Sequence, residues 1–240
     1  MSHFINLEEI PPCWILSTPR SGSSLLCELL NKTNLFNPIF VEYYNDQYCK
    51  NLYNIATNYK FKKYNKMMRY PLQISNISCK IFYTNLVNKF SNIRFIHLVR
   101  TNIFKQALSL FFSSKTRIWL YNINNIHDYR DIPYNYSEIL ESYNFLYQAQ
   151  WNDSIFLLGG QKYLDITYEK FISDIDLHMN KIMNFLNIKN NINWGETYRK
   201  ISKSEQMISP YPRKQEYYER FLKEYCIRNN CTINNGVLSL

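Results

Sequence analysis

The sequence predicts an α/β fold, a central parallel β-sheet flanked by helices. Three observations carry that expectation. Strand-like and helix-like segments alternate along residues 13–225, the order expected of βαβ units. The two clearest strand segments, CWILST (13–18) and IRFIHLV (93–99), are nearly continuous apolar runs. Strands of a parallel sheet are covered on both faces, so they lose the in–out alternation of a half-exposed strand. Finally, the first of these strands passes through a tight loop, residues 19–23, straight into the leucine-rich helical segment SLLCELLNKT (24–33).

The remaining elements follow in order. PIFVEYY (38–44) is rich in β-formers, and residues 46–65 are polar and aromatic, read as helix and loop. CKIFY (79–83) is a short strand candidate. Residues 103–119 are helical by pattern, because Phe104, Ala107, Leu108, Phe111 and Phe112 recur three or four apart. Residues 136–158 read as a second long helix. KYLDITY (162–168) alternates and reads as a strand. Residues 174–186 form a helix with Ser173 as its N-cap. An amphipathic helix, 213–225, follows Pro210 and Pro212, and the last dozen residues are expected to fray. No internal repeat, Gly/Ser linker or strong boundary interrupts the chain, so 1–240 is read as a single domain.

Composition narrows the function less than the fold. The chain is long enough to bury a core without staples, and 46% hydrophobic residues argue against disorder. Its net charge of +9 attracts ligands bearing phosphate or sulfate, but equally nucleic acid or an anionic membrane. No RRM signature or zinc-finger spacing points to nucleic acid. The six cysteines, at 13, 27, 49, 79, 226 and 231, form no CxxC pair and have no His at zinc-ligand spacing. No metal site is expected from them. MSHFINLEEIPPCW lacks the pattern of a signal peptide, and there is no apolar run of about 18 residues. The expectation is a reduced, cytoplasmic protein without a membrane span.

Two motifs carry chemistry. TPRSGSSLL sits between a strand and a helix. There the first backbone N–H groups of the helix have no partner within it, and the helix dipole adds roughly half a positive charge. An anion satisfies those donors. Gly22 permits close approach of backbone to ligand. Ser21, Ser23 and Ser24 offer hydroxyls, and Arg20 a fixed fork of N–H groups. The plain alternative is a serine-capped helix. The loop is not a Walker A loop, for Ser17 takes the leading glycine's place and Ser23 that of the lysine. In the second motif the strand ending at Val99 delivers Arg100, at the end of a strand where open α/β sheets bind ligands. Ser109 follows two and a half helical turns later. Taken with the first motif, this pair implies a ligand with two separated anionic groups.

At these residues the sequence resembles the superfamily of sulfotransferases that use 3′-phosphoadenylyl sulfate (PAPS). Within it the chain looks closest to the bacterial trehalose-type group. The matching pieces are TPRSGSSLLCELL, FVEYY, CKIFYTNL, FIHLVRTNIFKQALSLFFSSKTRIW and ITYEKF, in the family's order. The resemblance implies a P-loop-like sheet. It implies that Arg20, Ser21, Gly22, Ser23, Ser24 and Leu25 hold the 5′-phosphosulfate, and that Arg100 and Ser109 hold the 3′-phosphate. It makes Glu42 in FVEYY the general base and Arg20 a second catalytic group, with no metal required. Departures are visible too. The trehalose enzyme has Gln before the motif arginine and a Gly near the glutamate segment, where this chain has Pro19 and residues 37–41. The family's Asp after the 3′-phosphate arginine is Asn102. These changes argue against trehalose as the acceptor. The expected partner is a small-molecule or glycan hydroxyl, not nucleic acid, and analogy admits a homodimer. His97 is a rival base, more simply read as a core histidine. Lys80, Arg213 and Lys214 are further cations within possible reach of the anions. The competing readings are a P-loop kinase and an inactive nucleotide-binding relative.

Overall fold

In the computed structural model, which describes residues 13–33, 68–70, 94–116, 132–160, 162–205, 213–234 and 237–239, the first apolar run becomes β1 (Cys13–Ser17). Cys13, Ile15 and Leu16 are buried, as a strand covered on both faces requires. β1 pairs in parallel with β2 (Met68–Tyr70) on one side and β3 (Arg94–Val99) on the other. β3 in turn pairs in parallel with β4 (Lys162–Thr167). The strand order is β2-β1-β3-β4. Ser17 stands opposite Leu98, and Val99 opposite Thr167, so β1, β3 and β4 end at one edge of the sheet. Among the described strands the order reverses between β1 and β3, the position at which sheets of this type take ligands.

The helices are α1 (Ser23–Asn31), α2 (Ile103–Thr116), α3 (Tyr136–Leu158), α4 (Tyr168–Ser173), α5 (Ile175–Phe185), α6 (Trp194–Glu205) and α7 (Lys214–Asn229). The chain parts into two compact units, Met1–Val99 with Ala149–Gly195, and Arg100–Gln148 with Glu196–Leu240.

In the first unit, α1 buries Leu25, Leu26, Leu29 and Leu30, and α5 buries Met179, Ile182 and Met183. β3 carries one polar side chain inward. His97 is buried, and its Nδ1 lies 2.7 Å from Oδ1 of Asp165, its neighbour in register on β4. The ring is thus tied to the sheet, in keeping with a core histidine, although Nε2 is buried without a hydrogen-bond partner. α5 is capped by Asp174, whose Oδ1 accepts from the Leu177 amide at 2.9 Å. The expected cap, Ser173, instead donates its hydroxyl to the Lys170 carbonyl and ends the short α4. Serine and aspartate cap about equally well; Ser173 is the last residue of α4, so the cap of α5 falls to Asp174.

The second unit is held by aromatic rings. Asn102 caps α2 by accepting from the Lys105 amide at 2.9 Å, and its amide group donates to the Tyr218 hydroxyl at 3.1 Å. Phe104 stacks on Tyr143 at 4.7 Å and meets Phe221 at 5.9 Å, while Phe112 stacks on Tyr217 at 5.6 Å. All five rings are buried. Removing one such ring from a packed core costs about 3–5 kcal/mol. Arginines close the rim, with Arg220 4.0 Å over Tyr134 and Arg228 4.2 Å over Tyr136. The chain's end, read above as frayed, carries an antiparallel pair, β5 (Thr232–Asn234) and β6 (Val237–Ser239). Among the described residues no helix is long and apolar enough to cross a membrane.

One buried group makes stability depend on pH. Asp153 of α3 is fully buried, and neither carboxylate oxygen has a hydrogen-bond partner. Burial pushes its carboxyl well above the usual carboxylate range. From the unfolded value near 4 up to the folded one, the folded state holds a proton that the unfolded state has released. Stability contributed by this group is therefore intact below pH ~4 and lost as pH rises through the folded value. Asp153→Asn should be more stable than wild type at pH 7, and the gap should shrink toward pH 4. Denaturant unfolding of both proteins across that range measures it.

Candidate active site

The loop from β1 to α1 turns through two left-handed residues on either side of Ser21, Arg20 at φ 65° and Gly22 at φ 90°. Glycine adopts this region freely, whereas an arginine there is uncommon. Gly22 is the N-cap of α1 and has no side chain to offer as an acceptor. The first N–H groups of α1 have no partner inside the helix, and the first turn holds no acidic residue to answer the positive end of the dipole. Ser21 is fully buried, and its Oγ has no hydrogen-bond partner. A buried orphan hydroxyl costs about 1–3 kcal/mol, and an oxyanion is the kind of acceptor that satisfies it. Donors, dipole and orphan hydroxyl therefore fit a phosphate- or sulfate-type group.

Each remaining loop residue has a defined place. Ser23 is buried and Ser24 half-buried. The Leu25 side chain lies in the core, so only its main chain can serve a ligand. A neighbour from far along the sequence shapes the loop. A Cβ on Gly22 would run into Cδ2 and Cε2 of Tyr168. Tyr168 opens α4 directly after β4, whose last residue, Thr167, has a buried Oγ1 without a partner. Sequence reasoning used ITYEKF only as part of a resemblance and did not single out Tyr168. The available signal was its position at the end of a strand of a parallel sheet.

Arg100 follows β3 by one residue and is half-buried. Ser109 is buried within α2, where its carbonyl accepts from the Ser113 hydroxyl at 2.8 Å. These two residues belong to the second unit, and Arg20 to Leu25 to the first. Arg213 forms a two-pronged ion pair with Glu216, at 2.9 and 2.8 Å, and lies 5.1 Å over the Tyr217 ring. Its guanidinium is thereby engaged. Lys214 opens α7. Glu42 and Lys80 lie outside the described residues.

Gly22 is thus constrained twice, by its backbone and by the Tyr168 ring. Gly22→Ala should destabilise the protein by more than about 1 kcal/mol and should weaken anion binding at the loop. Thermal unfolding, with and without added sulfate, measures both effects.

Comparison with known proteins follows from this geometry. The sequence matches the sulfotransferase domain family over residues 11–224. No curated protein matches it. Among solved structures, the chain is similar to mouse sulfotransferase SULT7A1 complexed with PAP, at 18% identity and a TM-score of 0.49, covering 81% of this chain and 64% of that one. It is also similar to the sulfotransferase domain of the Synechococcus PCC 7002 olefin synthase, at 14% identity and a TM-score of 0.46, covering 88% of this chain and 94% of that one. A sulfotransferase from Alicyclobacillus acidocaldarius is similar at 12% identity and a TM-score of 0.47, covering 92% and 96%. This chain thus spans just under two thirds of the mouse enzyme's chain and nearly all of the two bacterial ones. With a family match that takes in both the strand–loop–helix junction and the Arg100 segment, the chain belongs to the sulfotransferase domain family.

Proposed function

We propose that this protein transfers a sulfuryl group from PAPS to a hydroxyl of a carbohydrate, glycolipid or other small-molecule acceptor. The observation that carries the reading is the β1–α1 junction. Its left-handed Gly22, its helix start without a side-chain cap and the orphan Ser21 hydroxyl together favour an anion. In this reading Arg20 and the loop from Ser21 to Leu25 hold the 5′-phosphosulfate. Arg100 and Ser109 take the 3′-phosphate, supported by the parallel register that ends β1 and β3 at one edge of the sheet. When bound, the donor supplies the sulfuryl group, and the chain supplies position, charge and a proton acceptor.

Transfer in line demands that acceptor oxygen, sulfur and leaving oxygen be held nearly collinear, so positioning does much of the work. Arg20 and the loop N–H groups stabilise the negative charge that grows on the departing phosphate oxygen. Glu42 accepts the proton of the acceptor hydroxyl, a contribution of about 10²–10⁴-fold. A protein acting in the cytoplasm, as a monomer or a homodimer, is compatible with this chemistry.

The test pairs two variants in a sulfuryl-transfer assay with the desulfated nucleotide as binding probe. Arg20→Ala should abolish transfer and weaken nucleotide binding. Glu42→Gln should lower turnover about 10²–10⁴-fold and leave nucleotide binding near wild type. Unchanged activity of the Arg20 variant would remove the loop from the mechanism. Loss of nucleotide binding in the Glu42 variant would make that residue structural. Transfer that depends on Mg²⁺ would favour phosphoryl over sulfuryl chemistry.

A further inference from the structure

The end of α7 brings two cysteines together. Asn230 is left-handed, at φ 49° and ψ 44°, and the Cys231 amide donates to the Cys226 carbonyl at 3.2 Å. This is the six-to-one hydrogen bond of a Schellman ending, which packs the residue after the left-handed one against the residue that accepts the bond. An apolar pair commonly fills those two positions. Here both are cysteines, Cys231 buried and Cys226 half-buried, with no disulfide between them. The hydrogen bond ties the backbones of the two cysteines together, and a disulfide between them needs Cα atoms about 4.4–6.8 Å apart.

We propose that Cys226 and Cys231 are a redox couple, a modification site at the end of α7 that a low-molecular-weight disulfide such as oxidised glutathione converts to an intramolecular disulfide. The accessible Cys226 thiolate attacks one sulfur of the reagent, the reagent's S–S bond breaks, and one reagent thiol leaves. Cys231, having given up its proton, then attacks Sγ of Cys226 in the mixed disulfide. The second reagent thiol departs as the protein S–S bond forms. Two protein thiols lose two protons and two electrons, and the reagent's disulfide gains both. The core cysteines make the contrast. Cys13 and Cys27 are buried, and desolvation, reinforced by the Cys27 thiol, pushes Cys13 far above the ordinary thiol range, which withholds the reactive thiolate. The cross-link would fix the turn through Asn229 and Asn230 that leads from α7 into β5.

The sequence makes the experiment direct. Trypsin cuts after Lys223 and Arg228, which puts the two cysteines on separate peptides, 224–228 and 229–240. The full chain is equilibrated in glutathione buffers of increasing oxidation, quenched with an alkylating agent, digested and mapped. The proposal predicts a cross-linked pair of these two peptides that appears with oxidation, vanishes on reduction, and accompanies a loss of two alkylated thiols per chain. In Cys231→Ser, which cannot close the bond, Cys226 should be recovered as the mixed disulfide with glutathione. Both peptides fully alkylated through the most oxidising buffer, or either cysteine cross-linked instead to Cys13, Cys27, Cys49 or Cys79, would overturn it.

Discussion

A helix whose N-cap is a glycine has no side chain to cap its first amides, and the candidate site is built on that fact. α1 opens with amide donors that have no partner in the helix, on a residue without a side-chain acceptor. The loop before it adds a buried hydroxyl that also lacks a partner. Amides without a partner inside the helix and an orphan hydroxyl at the positive end of a dipole favour an anion. The sheet fixes the junction at the end of β1. The Tyr168 ring, delivered by β4, occupies the space beside Gly22 and leaves room for no other residue. The net charge of +9 acts at longer range, raising the local concentration of anionic ligands without choosing among them.

The second unit solves a different problem. Arg100 lies just before α2 and Ser109 within it, and α2 is anchored through rings. Its first residues are fixed by Asn102, which bonds the Lys105 amide and the Tyr218 hydroxyl at once. The side-chain amide of Asn102 thus has two physical roles at once. An aspartate would keep the cap, but a carboxylate could only accept from Tyr218, whereas the asparagine donates to it. Phe104, one turn on, is held among Tyr143, Phe221 and Tyr225. α7 therefore supports α2 through packing and through a polar contact.

Elements with strong periodicity were legible in the sequence. α3 has the bounds its pattern gives, and β1, β3 and β4 differ from their expected ranges by a residue at an end, because continuous or alternating apolar runs leave little choice. What escaped the reading depends on contacts rather than pattern. Ser173 and Asp174 are both good caps, and only the break between α4 and α5 decides between them. α6 opens on Trp194 and Gly195 and is polar for most of its length; a buried Trp194 and a hydrogen bond donated by the Gly195 amide to Oδ1 of Asp176 anchor it. β5 and β6 are three residues each, too short for a periodic signal. Within the site, Arg20 to Leu25 could be read as an anion loop, but the Tyr168 wall could not, since nothing local to Gly22 announces a ring from the end of another strand. The base assigned to Glu42 falls on residues outside those described.

The central claim is that one ligand carries two anionic groups, each answered by its own arginine. It is tested most directly by calorimetric titration of adenosine 3′,5′-bisphosphate and of adenosine 5′-phosphate into wild type and Arg100→Ala. The account predicts that wild type prefers the bisphosphate and that the Arg100 variant binds the two nucleotides alike, with its affinity for the 5′-phosphate unchanged. A variant that keeps the full preference, or that loses affinity for both nucleotides equally, would contradict it.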